Sequence, residues 1–291
     1  MSEPNARRAP AGRQADGTGA TVGQLNQQRA ARVLTVLNPR KTYHRASIQH
    51  VERIPVSGAA MLVSNHGRLV FDAFILSRLI LRARGRLTRV MADHMWFRLP
   101  PFDRIFRSAG AVDGTRDNAA DLLRHGELVL TYPGGVPEVL GGRFGREHID
   151  WDGRCGFARV AIDAGVPVIP IVSVGVNNGL VFVSKGRLLG KLVFQHLLRL
   201  GPSYAEYRNP LALGIIPVPL PLSVAVAFPL PCRVTYVVGE PLYPPARAPE
   251  EVAGREAEQF AGQVADAMWQ LIERHGRSGR VPKAEIVRAS G

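Results

Sequence analysis

The sequence predicts an α/β fold: a single layered domain with a largely parallel central sheet flanked by helices. Short apolar runs of strand length alternate with stretches of helical periodicity. Glycine or proline punctuates most of the junctions between them. The best-defined apolar runs also open into polar or glycine-bearing turns, where an open α/β sheet places its functional loops.

Taken in order, residues 1 to about 20 carry Arg7, Arg8 and Arg13 among Pro, Gly, Ala and Ser and read as a disordered basic arm, with no secretory signal. Residues 21–45 hold an N-terminal helix, Thr21 to Leu37, ended by Asn38-Pro39. It either packs on the domain or lies on a membrane surface. The main domain is expected over 46–276 and a flexible tail over 277–291. Within the domain Ala59 to Val63 is a strand, and a helix runs from Asp72 to about Arg82. Leu87 to Ala92 is the next strand, and Pro100-Pro101 breaks the helix that follows. Asn118 to His125 is helical and closed by Gly126, and Leu128 to Tyr132 is a strand. Gly156 to Ala164 is a helix capped at Gly165, and Val166 to Val174 is a buried strand. Arg233 to Val238 is a late strand. Glu250 to His275 is a long helix whose Phe260, Val264, Met268 and Ile272 form a core-facing stripe.

The formal net charge is +13, almost all of it from arginine. A surface of that sign suits an anionic partner, and without zinc-finger spacing or an aromatic-basic RNA signature nucleic acid is not expected. Anionic lipid at a membrane surface fits better. Leu211 to Pro231 is uncharged over 21 residues but interrupted by five prolines, so a broken apolar segment is expected there and not a spanning helix. Cys155 and Cys232 are too few and too far apart for a disulfide framework or a zinc site. The histidines show no metal-ligand spacing, so no metal is expected.

Four stretches carry possible chemistry. In Asn65-His66-Gly67, followed by Asp72, an imidazole and a carboxylate leave a strand within reach of each other: a general base with its orienting partner, or a structural pair. Gly110 to Arg116 is a glycine-bearing turn presenting a cation, or a plain surface turn. Pro133-Gly134-Gly135, with Glu138 beyond, ends a strand and can offer backbone N–H groups to an oxyanion, or be an ordinary tight turn. Pro167 and Pro170 interrupt an apolar run, which suits a wall of an apolar slot or an edge strand.

In this order the four stretches resemble the blocks of the glycerolipid acyltransferase superfamily, the lysophosphatidate acyltransferase-like proteins. His66 and Asp72 match the family's His-x4-Asp with one extra residue. Gly110 to Arg116 matches its second block, residues 133–137 its third and residues 166–170 its fourth. The family's acidic residue and arginine in the third block are replaced by Gly134 and Pro137. The extra residue, the Pro-Gly-Gly-x-x-Glu pattern and the stretch Arg154-Cys155-Gly156-Phe157 look more like the diacylglycerol acyltransferase-like branch.

The resemblance implies transfer of an acyl group from acyl-CoA or acyl carrier protein to a lipid hydroxyl, with His66 as base and Asp72 as its partner. Asn65, Arg116, Gly134, Gly135, Glu138, Pro167 and Pro170 are the substrate-site residues it implies, and no cofactor is called for. The missing third-block arginine favours a neutral acceptor, an acylglycerol or long-chain alcohol, while Arg116 keeps lysophosphatidate open. Location at the cytoplasmic face of a membrane, peripheral or monotopic, goes with that chemistry. A thioester hydrolase, in which water replaces the alcohol, and a non-catalytic basic membrane-binding protein remain as alternatives.

Overall fold

The computed structural model describes residues 27–37, 45–67, 72–98, 102–135, 138, 146–178, 180–182, 227–229, 231–246 and 250–276. The basic arm, the tail, Pro137 and most of Leu211 to Pro231 lie outside these. The strands are β1 (Arg45–Gln49), β2 (Ala60–Ser64), β3 (Thr88–Ala92), β4 (Ala111–Asp113), β5 (Leu128–Thr131), β6 (Val168–Val174), β7 (Leu180–Phe182), β8 (Ala227–Pro229) and β9 (Arg233–Val238). The helices are α1 (Gln27–Leu37), α2 (Asp72–Arg84), α3 (Met95–Arg98), α4 (Phe102–Ser108), α5 (Arg116–Arg124), α6 (Gly156–Ala164) and α7 (Glu250–His275).

Seven strands form one sheet in the order β1-β9-β6-β2-β5-β3-β4. All neighbours pair in parallel except β6 and β9, so the sheet is largely parallel, as expected. β7 and β8 make a separate antiparallel pair. Strand β1 and the edge strand β4 were not foreseen. β1 alternates only partly buried positions, and β4 is three residues long, so neither leaves a strong pattern.

Both faces of the sheet are covered, which parallel strands require. On the first face α1, α2 and α4 pack over Leu62, Leu130, Ile169 and Tyr236. Ala30 and Leu34 of α1 are fully buried there, so this helix packs on the domain. On the second face α5, α6 and α7 pack over Met61, Val129, Val168 and Val237. Local chemistry agrees with the helix ends. Thr115 accepts the Asn118 N–H at the start of α5, and Gly165 closes α6 in the left-handed conformation, φ 62°.

The connections fix where a site can form. β2 runs into α2 on the first face, whereas its neighbour β5 leads on to α6 on the second. Adjacent parallel strands whose connections leave to opposite faces open a crevice at their carboxyl ends.

Pro170 sits inside the sheet, not on an edge. It is buried in β6, paired with Val63, and its carbonyl accepts from Gly239 at 2.7 Å. Within a strand a residue's N–H and C=O point to the same side, so the missing N–H faces β9 and no bond to β2 is lost. Pro167, just before β6, accepts the Met61 N–H at 3.0 Å. Both prolines serve the sheet.

Candidate active site

β2 delivers Asn65, His66 and Gly67 into the crevice. Asn65 is fully buried, and its amide oxygen accepts from the backbone N–H of Ser173 at 2.8 Å and from the Ser173 hydroxyl at 3.1 Å. It ties the turn after β2 to β6. Gly67 has no room for a side chain, since a Cβ there would lie 2.1 Å from Val176 Cγ1. The turn is thus pinned on both sides of the histidine.

His66 Nδ1 stands 3.7 Å from Asp72 Oδ1, with Asp72 fully buried and 16% of the histidine side chain exposed. That is ion-pair distance and longer than a hydrogen bond; such contacts tighten when substrate is bound. Asp72 heads α2, where the helix dipole favours a negative charge. The buried Tyr236 hydroxyl donates to the Asp72 carbonyl at 3.0 Å and holds the start of the helix in place.

Electrostatics follow from burial. Desolvation pushes the His66 imidazole down to about 4, against a weaker opposing hydrogen bond at Gly67, with the His148 ring lowering it further. Desolvation pushes the Asp72 carboxyl well up, opposed by the nearby N–H groups of Gly67 and Ala73, which approach it without reaching full hydrogen-bond geometry. An imidazole held as the free base at neutral pH can accept a proton. Once it does, the positive charge 3.7 Å away favours the ionised form of Asp72 against its burial, and the two charges stabilise each other as a pair.

Tyr132, at the end of β5, places its ring 4.6 Å from the His66 ring. Beyond it the Gly135 N–H donates to the Tyr132 carbonyl at 3.1 Å, closing the turn, so this N–H is already engaged and not aimed at an oxyanion. Gly134 answers a different need: a Cβ there would lie 2.5 Å from Glu138 Oε2 and 2.4 Å from the Asp150 carbonyl. Glu138 is itself fully buried. Its carboxylate accepts the His66 N–H at 2.8 Å and the Asp150 N–H at 3.1 Å. Buried behind the histidine, Glu138 holds the loop and does not line the cavity described below.

His66, Tyr132, Pro133 and Gly135 line a cavity of about 580 Å³, within the range of small-molecule sites. Arg116 and Arg154 line it too. Arg116 packs on the start of α6, its Nε 3.2 Å from where a Gly156 Cβ would be. Arg154 is fixed by a bond from Nη1 to the Gly134 carbonyl at 2.7 Å. Of the residues expected at the substrate site, the structure brings His66, Arg116 and Gly135 to the cavity. Asn65, Glu138 and Gly134 stand behind it, and Pro167 and Pro170 lie in the sheet. Tyr132, Tyr236 and Arg154 had not been assigned to the site. Tyr132 and Arg154 adjoin recognisable motifs, while nothing near Tyr236 in sequence links it to Asp72.

A largely parallel sheet with a His–Asp pair at the carboxyl end of a central strand, the histidine lining a cavity of mixed apolar and basic character, defines the class as an α/β protein with its candidate site in the crevice between β2 and β5. Residues 45–174 match the family model described as Acyltransferase. The chain is 32% identical over 265 residues to the human protein named "DGAT1/2-independent enzyme synthesizing storage lipids", covering 90% of this chain and 68% of that one. The bovine protein of the same name is also 32% identical over 265 residues, with 90% and 66% covered. This chain spans about two thirds of the length of these relatives. The crystal structure of the 1-acyl-sn-glycerophosphate (LPA) acyltransferase PlsC from Thermotoga maritima aligns over 82% of this chain and 77% of that one, with TM-score 0.46 and 16% identity. The chain belongs to the glycerolipid acyltransferase family.

Proposed function

We propose that this protein transfers an acyl group from a thioester, acyl-CoA or acyl carrier protein, to the hydroxyl of a neutral lipid acceptor, an acylglycerol or long-chain alcohol. The observation that carries this is His66, backed by the buried Asp72, lining a cavity whose walls are largely apolar. With Nδ1 turned to Asp72, His66 Nε2 is the nitrogen left to take the hydroxyl proton. The alkoxide attacks the thioester carbonyl, the C–S bond breaks, and the proton on His66 passes to the leaving thiolate. The Arg154 guanidinium, held at the cavity wall, is placed to stabilise the oxyanion. None of these steps needs a cofactor.

The names of the human and bovine relatives, which speak of storage lipids, agree with a neutral acceptor. A second reading, a lysophosphatidate acceptor, draws on Arg116 at the cavity. Attachment at the cytoplasmic face of a membrane, through anionic lipids, belongs to the proposal and rests on the +13 charge. Among the described residues no helix is long and apolar enough to cross a membrane.

The test is incubation of the purified protein with labelled acyl-CoA and acyl carrier protein thioesters against a panel of acylglycerols, alcohols, lysophosphatidate and water alone. An acylated neutral lipid is the expected product. Free fatty acid with every acceptor would replace the transferase with a hydrolase, and no thioester consumption would remove catalysis altogether.

A further inference from the structure

The cavity at His66 reaches past the sheet's carboxyl edge onto both of its faces. Phe74, Trp96 and Phe106 line it and belong to the first-face core. Ala119, Val129 and Val160 line it and belong to the second-face core. The two groups of side chains are separated by the sheet itself. On the second side the lining includes Val129, two residues before the end of β5 at Thr131 and thus roughly 7 Å below the edge. The first arm has a rigid aromatic wall. Trp96 stacks on Phe106 with centroids 5.0 Å apart and planes at 15°, and Phe74 meets Phe106 edge-on, also at 5.0 Å. His66 and Tyr132 sit where the arms join.

We infer that the two arms hold two hydrocarbon chains at once, the thioester donor's on the second face and the hydroxyl acceptor's against the aromatic wall. This rests on the acyl-transfer reading above. One chain on each side brings a carbonyl and a hydroxyl together at the junction, within reach of one base. Charge decides which chain goes where. Arg116 opens α5 and packs on the first residue of α6, the two helices that supply Ala119 and Val160. The phosphates of CoA or of a phosphopantetheine arm would meet this cation on the second side. The aromatic arm suits a chain whose head group carries no phosphate.

The experiment is calorimetric binding of an unreactive alkyl-CoA thioether and a long-chain monoalkylglycerol to the full-length protein, alone and together. Simultaneous binding is expected, and mutual exclusion would overturn the two-arm arrangement. Val160→Phe narrows the second arm and is expected to weaken the long-chain thioether about tenfold, leaving the alkylglycerol unchanged. Ala119→Leu reads the same arm should Val160→Phe not fold. Trp96→Ala, with Trp96→Phe as the milder version, is expected to shift only the alkylglycerol. Variants that move both ligands equally, or each the opposite one, would refute the assignment. A protein that binds both ligands yet transfers nothing refutes the enzymatic reading and leaves the arms standing.

Discussion

Glu138 Oε2 accepts the backbone N–H of His66 at 2.8 Å, from a carboxylate with no exposure to solvent. Its other oxygen takes the Asp150 N–H at 3.1 Å, so one side chain joins the loop after β2 to the segment leading into α6. Burial pushes this carboxyl well above the usual range, and the two N–H donors oppose that shift. Removing it leaves two part-buried donors without their acceptor, at up to about 1–3 kcal/mol each. Glu138→Ala is expected to lower the melting temperature and kcat together. Glu138→Gln keeps one acceptor and the shape, so it should fold, with kcat reduced and KM nearly unchanged. Loss through KM alone would place Glu138 in contact with substrate instead.

For the pair itself, His66→Ala is expected to abolish transfer in a folded protein. Asp72→Asn keeps the shape but offers the imidazole a neutral partner, and comparable changes elsewhere cost up to about 10⁴-fold in rate. Circular dichroism establishes the fold and single-turnover kinetics the rate. A folded His66→Ala with full activity would end the general-base assignment.

The pH dependence has a definite sign. In the proposed reaction His66 acts as the free base, so the rate should fall as pH drops through its folded value, about 4 and not the usual 6.5. The profile of kcat/KM is therefore expected to stay level from pH 7 down to about 5, where an ordinary histidine would already be largely protonated. An acid limb centred at or above 6.5 would mean that the ring is far better solvated than its surroundings indicate.

The fold class was legible because strands β2, β5, β6 and β9 are apolar runs bounded by turns, and because α6 and α7 carry clear helical stripes. Of the site, sequence order placed His66 and Asp72 on adjoining elements, and the structure sets them 3.7 Å apart. What sequence could not show was direction. Asn65 and Glu138 sit in the right motifs but turn inward to hydrogen-bond partners 108 and 12 residues away, Ser173 and Asp150. Polar residues beside a catalytic histidine suggest contact with substrate, whereas pinning the loop that carries it is an equally good use of a buried acceptor. Pro170 misled for a related reason: a missing N–H matters only on the side to which it points.

Gly134 gives a check on that packing. A methyl group there overlaps Glu138 and the Asp150 carbonyl at 2.4–2.5 Å, contacts that require backbone to move. Gly134→Ala is expected to destabilise by about 1–3 kcal/mol, read as a lowered denaturation midpoint, and to reduce kcat by displacing Glu138 from His66. Gly135→Ala differs in kind. Space is available there, with Arg154 Nη1 at 3.6 Å, and the cost comes from its φ of 56°. A smaller loss of stability, of order 1 kcal/mol, is expected. Equal effects at the two positions would show that the turn, and not the buried carboxylate, sets the requirement for glycine.

Arg116 separates the two acceptors. It is exposed, lines the cavity and heads α5, so its removal should leave the fold intact. With a neutral acceptor, the phosphate it meets belongs to the donor. Arg116→Ala should then raise KM for the thioester several-fold and leave KM for the alcohol unchanged, since a charge-assisted hydrogen bond is lost on one ligand only. With lysophosphatidate as the acceptor, the same substitution raises KM for the acceptor instead. Arg116→Lys keeps the charge but not the bidentate fork, and should recover part of whichever interaction was lost. Initial rates with each substrate varied in turn make the distinction directly. A thioester KM unmoved beside a raised lysophosphatidate KM would transfer the proposal to the phosphorylated acceptor.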